Sequence, residues 1–309
     1  MIQVHGLTKR YGDKTAVNGI DFTIAPGRVT GFLGPNGAGK STTMRMILGL
    51  DRPTSGTATI DGQDYRSLPA PLHEVGALLD ARAAHKGRTA YKHLLALAAT
   101  HRIGPARVRE VMELAGLDAV ANKRVGGFSL GMGQRLGIAA ALLGDPRTVI
   151  LDEPVNGLDP EGILWIRALL RRLAQEGRTV MLSSHLMSEM TQTADHLIVI
   201  GRGALLADGP LREVISGATR TVVRARTREV QRLVDAVSGP DVTITTEPDG
   251  AVEIAGLSAE QVAETAAAAG VVLVELTSIE GSLEDAYLSL TADAAEYRAI
   301  STAPNGATR

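Results

Sequence analysis

Nine consecutive residues, Gly34-Pro35-Asn36-Gly37-Ala38-Gly39-Lys40-Ser41-Thr42, place glycines, a lysine and a hydroxyl at the G-x-x-x-x-G-K-[ST] spacing of a phosphate-binding loop. Glycines let backbone N–H groups close around phosphate oxygens, and a helix starting at the lysine adds partial positive charge. Lys40 has the length to reach β- and γ-phosphates, and the Ser41 hydroxyl is a ligand for Mg²⁺. The stretch predicts binding of a nucleoside triphosphate. Farther along, Thr148-Val149-Ile150-Leu151-Asp152-Glu153 is an apolar run ending in two acids. Asp152 suits a Mg²⁺ shell, and Glu153 suits a carboxylate that polarises water for attack on the γ-phosphate. Ser129 and Gly131, ahead of a helical pattern resuming at Gln134, offer a second anion site, although a flexible glycine linker explains them better when they are read alone. His185, at the tip of an apolar strand, can donate to a phosphate oxygen, and Tyr11 can stack on a purine with Val17 against the same ring. The plainer alternatives are a satisfied core histidine and a tyrosine covering a core edge.

The elements that must position these groups follow from periodicity. Arg28–Leu33 reads as a strand and Lys40–Leu50 as a helix with Met44, Ile47 and Leu48 on one face, so the glycine loop sits between strand and helix. Ile2–Leu7 and Asn18–Ile24 are strands around the turn at Tyr11-Gly12-Asp13-Lys14; Thr57–Ile60 is a strand closed by the hairpin signal Asp61-Gly62; Val75–Leu79 is a strand ending at Asp80. From about 81 to 143 the pattern is helical, an insert in an α/β sheet. The continuous apolar runs at Thr148–Leu151 and Arg178–Ser184 predict parallel strands buried on both faces, whose C-terminal ends hold ligands. Gly157-Leu158-Asp159-Pro160 is a tight turn carrying an acid.

Composition narrows the class. The 309 residues are 44% hydrophobic but only 3% aromatic, so the cores must be aliphatic, and the length suits one large or two medium domains. Spanning a bilayer takes about 20 apolar residues, and the longest runs, Leu136–Gly144 and Thr265–Val274, are half that or less. The start, Met1-Ile2-Gln3-Val4, lacks a signal-peptide pattern, and the absence of cysteine excludes disulfides and thiolate metal sites; a cytoplasmic location is expected. A formal net charge of −2 argues against a nucleic-acid or lipid surface, so membrane association must come through a protein partner.

Taken in order, the phosphate loop, Ser129-Leu130-Gly131-Met132, Asp152-Glu153, Asp159 and His185 make residues 1 to about 217 resemble an ABC-type ATPase subunit, the ATP-binding component of a transporter. The resemblance implies Tyr11 as the adenine-stacking aromatic, Gly34–Thr42 as Walker A and Thr148–Asp152 as Walker B. It implies Glu153 as general base, Asp159 in the D-loop and His185 as the switch histidine. Two departures stand out. The usual signature Leu-Ser-Gly-Gly-Gln reads Phe128-Ser129-Leu130-Gly131-Met132, a variation similar to antibiotic- and multidrug-exporter subunits of the daunorubicin- and bacitracin-resistance group. The Q-loop glutamine that helps ligate Mg²⁺ aligns with Asp80, whose charge opposes the γ-phosphate unless the ion screens it. The resemblance also implies a head-to-tail pair of ATPase chains, a homodimer being the simplest arrangement, with Ser129, Leu130, Gly131 and Met132 meeting the ATP held by the partner. It implies a separate transmembrane permease, through which this chain sits on the inner face of the membrane.

Beyond 217 the order strand, helix, hairpin, helix, strand predicts a ferredoxin-like α+β module over 218–290, ending in a helix from Ser282 to Leu290, with a mobile tail at 291–309. Export of a drug-like compound driven by ATP hydrolysis is the leading expectation; an ATP-gated binding module working without a permease is the other.

Overall fold

The protein is described here from a computed structural model covering residues 1–219, 222–279 and 281–291. It divides into two compact units, Met1–Gly209 and Pro210–Leu290. The boundary expected at 217 falls inside a helix, and the tail predicted to be mobile lies, from 292 on, outside the described residues.

Along the first unit the elements are β1 (Ile2–Tyr11), β2 (Lys14–Ile24), β3 (Val29–Leu33), α1 (Lys40–Ile47), β4 (Ser55–Ile60), α2 (Pro71–Glu74), β5 (Val75–Leu78), α3 (Ala90–Thr100), α4 (Pro105–Leu114), α5 (Leu130–Ala141), β6 (Thr148–Leu151), α6 (Pro160–Gln175), β7 (Thr179–Ser183), α7 (Met187–Thr193), β8 (His196–Gly201) and β9 (Ala204–Pro210). An antiparallel sheet β2-β1-β4 accompanies a six-stranded sheet ordered β5-β6-β7-β3-β8-β9. From β5 to β8 every recorded pairing is parallel, with Leu151 opposite Leu182 and Phe32 opposite Ser183. Every residue of β3, β6, β7 and β8 is buried, which is why these strands read as unbroken apolar runs. Because the strands are parallel, the segments after β3, β6 and β7 emerge along one edge of the sheet.

The core between the sheets is aliphatic apart from Phe22 and Phe32, whose rings lie 5.6 Å apart. In the helical insert, Leu94, Ala98, Val108, Val111 and Met112 are buried at the spacing the sequence shows. Two local expectations need correction. Asp61-Gly62 does turn the chain, but the turn closes on a single bridge between Ile60 and Gln63 instead of a second strand. The helix expected from Gln134 begins four residues earlier, at Leu130, because the Ser129 hydroxyl accepts the N–H of Met132 and caps it.

The second unit comprises α8 (Leu211–Ala218), β10 (Val222–Thr227), α9 (Val230–Val237), β11 (Thr243–Thr246), β12 (Val252–Ala255), α10 (Ala259–Ala268), β13 (Leu273–Ile279) and α11 (Leu283–Thr291). Its antiparallel sheet runs β11-β12-β10-β13. Val223, Ala225, Val252 and Ile254 pack with Leu233, Val237, Val262 and Ala266 of α9 and α10. The alternate residues Arg224 and Arg226 share the carboxylate of Asp249. Ser258 and Gln261 form a capping box that starts α10.

Candidate functional site

The loop between β3 and α1 depends on Gly39, whose φ of 105° is open to glycine and whose added Cβ would stand 2.5 Å from the carbonyl oxygen of Ala16. Lys40 folds back to donate from Nζ to the carbonyls of Gly34 (2.5 Å) and Pro35 (3.2 Å). Burial lowers its pKa, while Glu153 and Asp152 oppose that shift. Its ammonium is thus held in place by backbone oxygens and faces two carboxylates, an arrangement suited to exchange onto phosphate oxygens. A cavity of about 430 Å³ lies over the loop. Of the nine predicted loop residues all but Gly34 and Ala38 line it, together with Tyr11, Lys14, Ala16, Asp152 and Glu153.

Asp152 and Glu153 arrive from β6. The Asp152 carboxylate accepts the hydroxyl of Ser41 at 2.9 Å and, through its other oxygen, the hydroxyl of Ser183 on β7. Ser183 in turn accepts the N–H of Glu153 at 3.0 Å. Glu153 has a φ of 51°, a left-handed conformation that costs a side-chain-bearing residue about 1–3 kcal/mol and persists where neighbours over-determine it. Its Oε2 lies 2.7 Å from Nδ1 of His185 and accepts the His185 backbone N–H at 3.3 Å. The contact is satisfied when Nδ1 carries the proton, which leaves Nε2 as the nitrogen without that bond. The Glu153 side chain is 24% exposed, open enough for a water and shielded enough to favour one orientation.

Among the described residues no three His, Cys, Asp or Glu cluster to bind a metal by themselves. Ser41 and Asp152 nevertheless supply two adjacent hard oxygens, which fits Mg²⁺, an ion that takes one or two protein oxygens and fills its octahedron with water and phosphate. Asp80 is exposed, absent from the cavity wall, and uses Oδ1 to accept the N–H of Arg82 at 2.7 Å in a local turn.

Tyr11 stands at the cavity rim, 51% exposed. Its hydroxyl donates to Asp51 at 3.3 Å, and Arg45 grips the same carboxylate through Nε and Nη2 at 2.8 and 3.1 Å. Lys9 Nζ sits 4.9 Å from the ring centroid. Partial burial and then the Asp51 charge raise the Tyr11 pKa, and the hydrogen bond from Arg45 holds Asp51 low. Val17 does not share this surface. It is wholly buried, its Cγ2 supporting the loop beneath Gly39, and the neighbouring Ala16 lines the cavity instead.

Ser129, Leu130, Gly131 and Met132 do not line the cavity of their own chain. Ser129 and Leu130 are exposed at the start of α5, and Gly131 lies so close to the turn before α6 that an added Cβ would be 2.5 Å from the Gly157 carbonyl oxygen. Asp159 caps α6 by accepting the N–H of Gly162 at 2.9 Å, with Arg135 of α5 3.9 Å away and stacked 4.8 Å from the Trp165 ring. Ser183, Gln134 and the Arg45–Asp51 pair belong to no motif in the sequence. A serine closing an otherwise apolar strand two residues before His185 was a usable signal for Ser183; the others carry none. A larger cavity of about 550 Å³ lies at the opposite, N-terminal ends of β6 and β7. There Arg107 and Arg178 are paired with Asp145 and Glu176, so its charges satisfy one another.

Comparison with known proteins gives two family matches: residues 17–156 with the family described as ABC transporter, and residues 221–284 with a domain of unknown function. The bacitracin transport ATP-binding protein BcrA of Bacillus licheniformis is 43% identical over 68% of this chain and 70% of its own. The lantibiotic transport ATP-binding protein SrtF of Streptococcus pyogenes is 35% identical over 67% of this chain and 90% of its own. Among solved structures, the dimeric post-hydrolysis state of the ATP-binding cassette MJ0796 bound to ADP and Pi has a TM-score of 0.63 and 26% identity, covering 68% of this chain and 99% of that one.

Proposed function

The chain belongs to the ABC transporter family of ATP-binding proteins and is an ATPase, and we propose that it powers export of a drug-like or hydrophobic compound through a separate membrane permease. The export reading rests on the relatives named for bacitracin and lantibiotic transport. Among the described residues no helix is long and apolar enough to cross a membrane; the partner permease and a place on the inner membrane face rest on the transport names of those same relatives. The observation carrying the hydrolytic reading is the pairing of Glu153 with His185 at 2.7 Å, one residue after the Asp152 that bonds Ser41 of the phosphate loop.

In this reading Lys40 and the loop N–H groups bind the β- and γ-phosphates, and Tyr11 stacks on adenine. Ser41 and Asp152 would hold Mg²⁺, which when bound draws charge from the phosphate oxygens. The Glu153 carboxylate takes a proton from water as its oxygen bonds the γ-phosphorus and the bond to the ADP oxygen breaks. His185, donating from Nδ1, orients that carboxylate. Ser129 and Gly131, which do not line the cavity of their own chain, meet ATP held by a second copy, so two chains close over two nucleotides and open after hydrolysis. The dimeric form of the MJ0796 cassette is consistent with that arrangement. We further assign the second unit as ferredoxin-like, supported by its β-α-β-β-α-β order and its strand order, in which the first and third strands lie at the centre.

Glu153→Gln tests the mechanism. The variant should bind ATP, lose about 10²-fold or more in turnover, and shift from one copy to two on adding ATP and Mg²⁺ in light scattering. Hydrolysis close to the wild-type rate would remove Glu153 from the role of base.

A further inference from the structure

Gln134 has no part in the chemistry above, yet it is one of the few buried polar side chains of the first unit, 3% exposed. It stands in the first turns of α5, and its Nε2 donates to the carbonyl oxygen of Glu153 at 2.9 Å. Glu153 needs such a partner. Its φ of 51° is unfavourable for a residue with a side chain and must be imposed from outside. The N–H is fixed by Ser183 and the carboxylate by His185. The carbonyl receives the N–H of Asn156 at 3.2 Å, from within the same loop, and the Gln134 amide from α5. Without the amide the carbonyl keeps only the Asn156 bond from within its own loop, and the left-handed backbone that carries the carboxylate is held less firmly.

We propose that Gln134 is a positioning residue for Glu153, holding the left-handed backbone that aims the carboxylate at the attacking water; the inference rests on the base role proposed for Glu153. Asparagine is one methylene too short to replace it, and leucine has the volume without the donor. The bond also fastens the helix capped by Ser129 to the carboxylate-bearing loop of its own chain.

Gln134→Leu in the full chain, with Gln134→Met as a second variant, tests this. Turnover should fall about ten- to hundredfold, part of the roughly 10²–10⁴ that a positioned base supplies, while the Kd of a fluorescent ATP analogue stays within about twofold. The discriminating measurement is the double variant Gln134→Leu/Glu153→Gln. With the base already gone, removing the residue that aims it should leave the residual rate of Glu153→Gln unchanged. A further drop equal to that of Gln134→Leu alone overturns the proposal, since a general structural role multiplies through. Loss of ATP binding in both the leucine and methionine variants overturns it as well, because Gln134 would then support the loop as a whole. Wild-type turnover in Gln134→Leu, with Glu153→Gln inactive, removes this inference and leaves the proposed function standing. Unimpaired hydrolysis in Glu153→Gln removes the base role and this inference with it.

Discussion

Replacing Gly131 by alanine sets a methyl carbon 2.5 Å from the carbonyl oxygen of Gly157, where ordinary contact begins at 3.4 Å. Both sides of the clash are backbone, a helix start and a tight turn, so no side chain can swing aside. The two segments must separate by about 0.9 Å. Overpacking of this kind costs about 1–3 kcal/mol, and alanine recovers about 0.8–1 kcal/mol over glycine within a helix, leaving a net loss of roughly 0–2 kcal/mol. For a unit of this size that lowers Tm by at most about 8 °C. The functional effect should be larger, because the displaced segments carry Ser129 on one side and Asp159 on the other, and a misplacement near 1 Å is worth about 10²-fold in rate. Neither segment lines the cavity over the phosphate loop, so ATP affinity should hold within about twofold. Steady-state hydrolysis, titration with a fluorescent ATP analogue and light scattering with ATP would be measured on the same preparation. Turnover and ATP-dependent dimerisation at wild-type levels in a variant of unchanged Tm would refute the reasoning, since the contact would then have yielded without moving either segment.

Tyr11→Ala should weaken ATP binding by about 1–3 kcal/mol, or roughly 5–150-fold, with turnover at saturating ATP little changed. Tyr11→Phe, which keeps the ring but loses the Asp51 bond, should fall between; equal affinity in the alanine variant and the wild type would rule out stacking. Lys40 predicts a pH effect on the nucleotide-free protein. Burial holds its folded pKa below the ordinary 10.5, so between that lowered value and 10.5 the unfolded chain binds more protons and stability rises with pH. The Tm of the wild type should therefore climb relative to Lys40→Met as the pH approaches 10.5; a constant difference across the range would contradict the assigned shift.

Where chemistry is local, the chain alone was readable. The phosphate loop occupies nine contiguous residues between one strand and one helix, and its geometry needs little beyond glycines that admit positive φ and a lysine long enough to fold back. The buried strands announced themselves as apolar runs because both faces are covered, and Asp152-Glu153 followed one of them visibly. Local pattern failed where a contact from elsewhere decided the outcome. The glycines after Ser129 looked like helix breakers, but Gly131 belongs inside the helix because its missing Cβ admits the Gly157 carbonyl. Val17 and Ala16 are adjacent in β2 and face opposite ways, so the assignment of one or the other to the cavity turned on strand register, which hydrophobicity did not resolve here.

By itself, then, the amino-acid order marked a triphosphate-binding α/β chain and singled out two adjacent carboxylates as candidates to serve the nucleotide. Tertiary structure alone decided that Asp152 meets Ser41 across 111 positions of sequence, that Glu153 meets His185 across 32, and that Gln134 and Ser183 hold the peptide of Glu153. The reason lies in the sheet. β7 sits between β3 and β6, and parallel pairing brings the ends of all three to one edge, so residues far apart in the chain become neighbours through strand order, which no local spacing encodes.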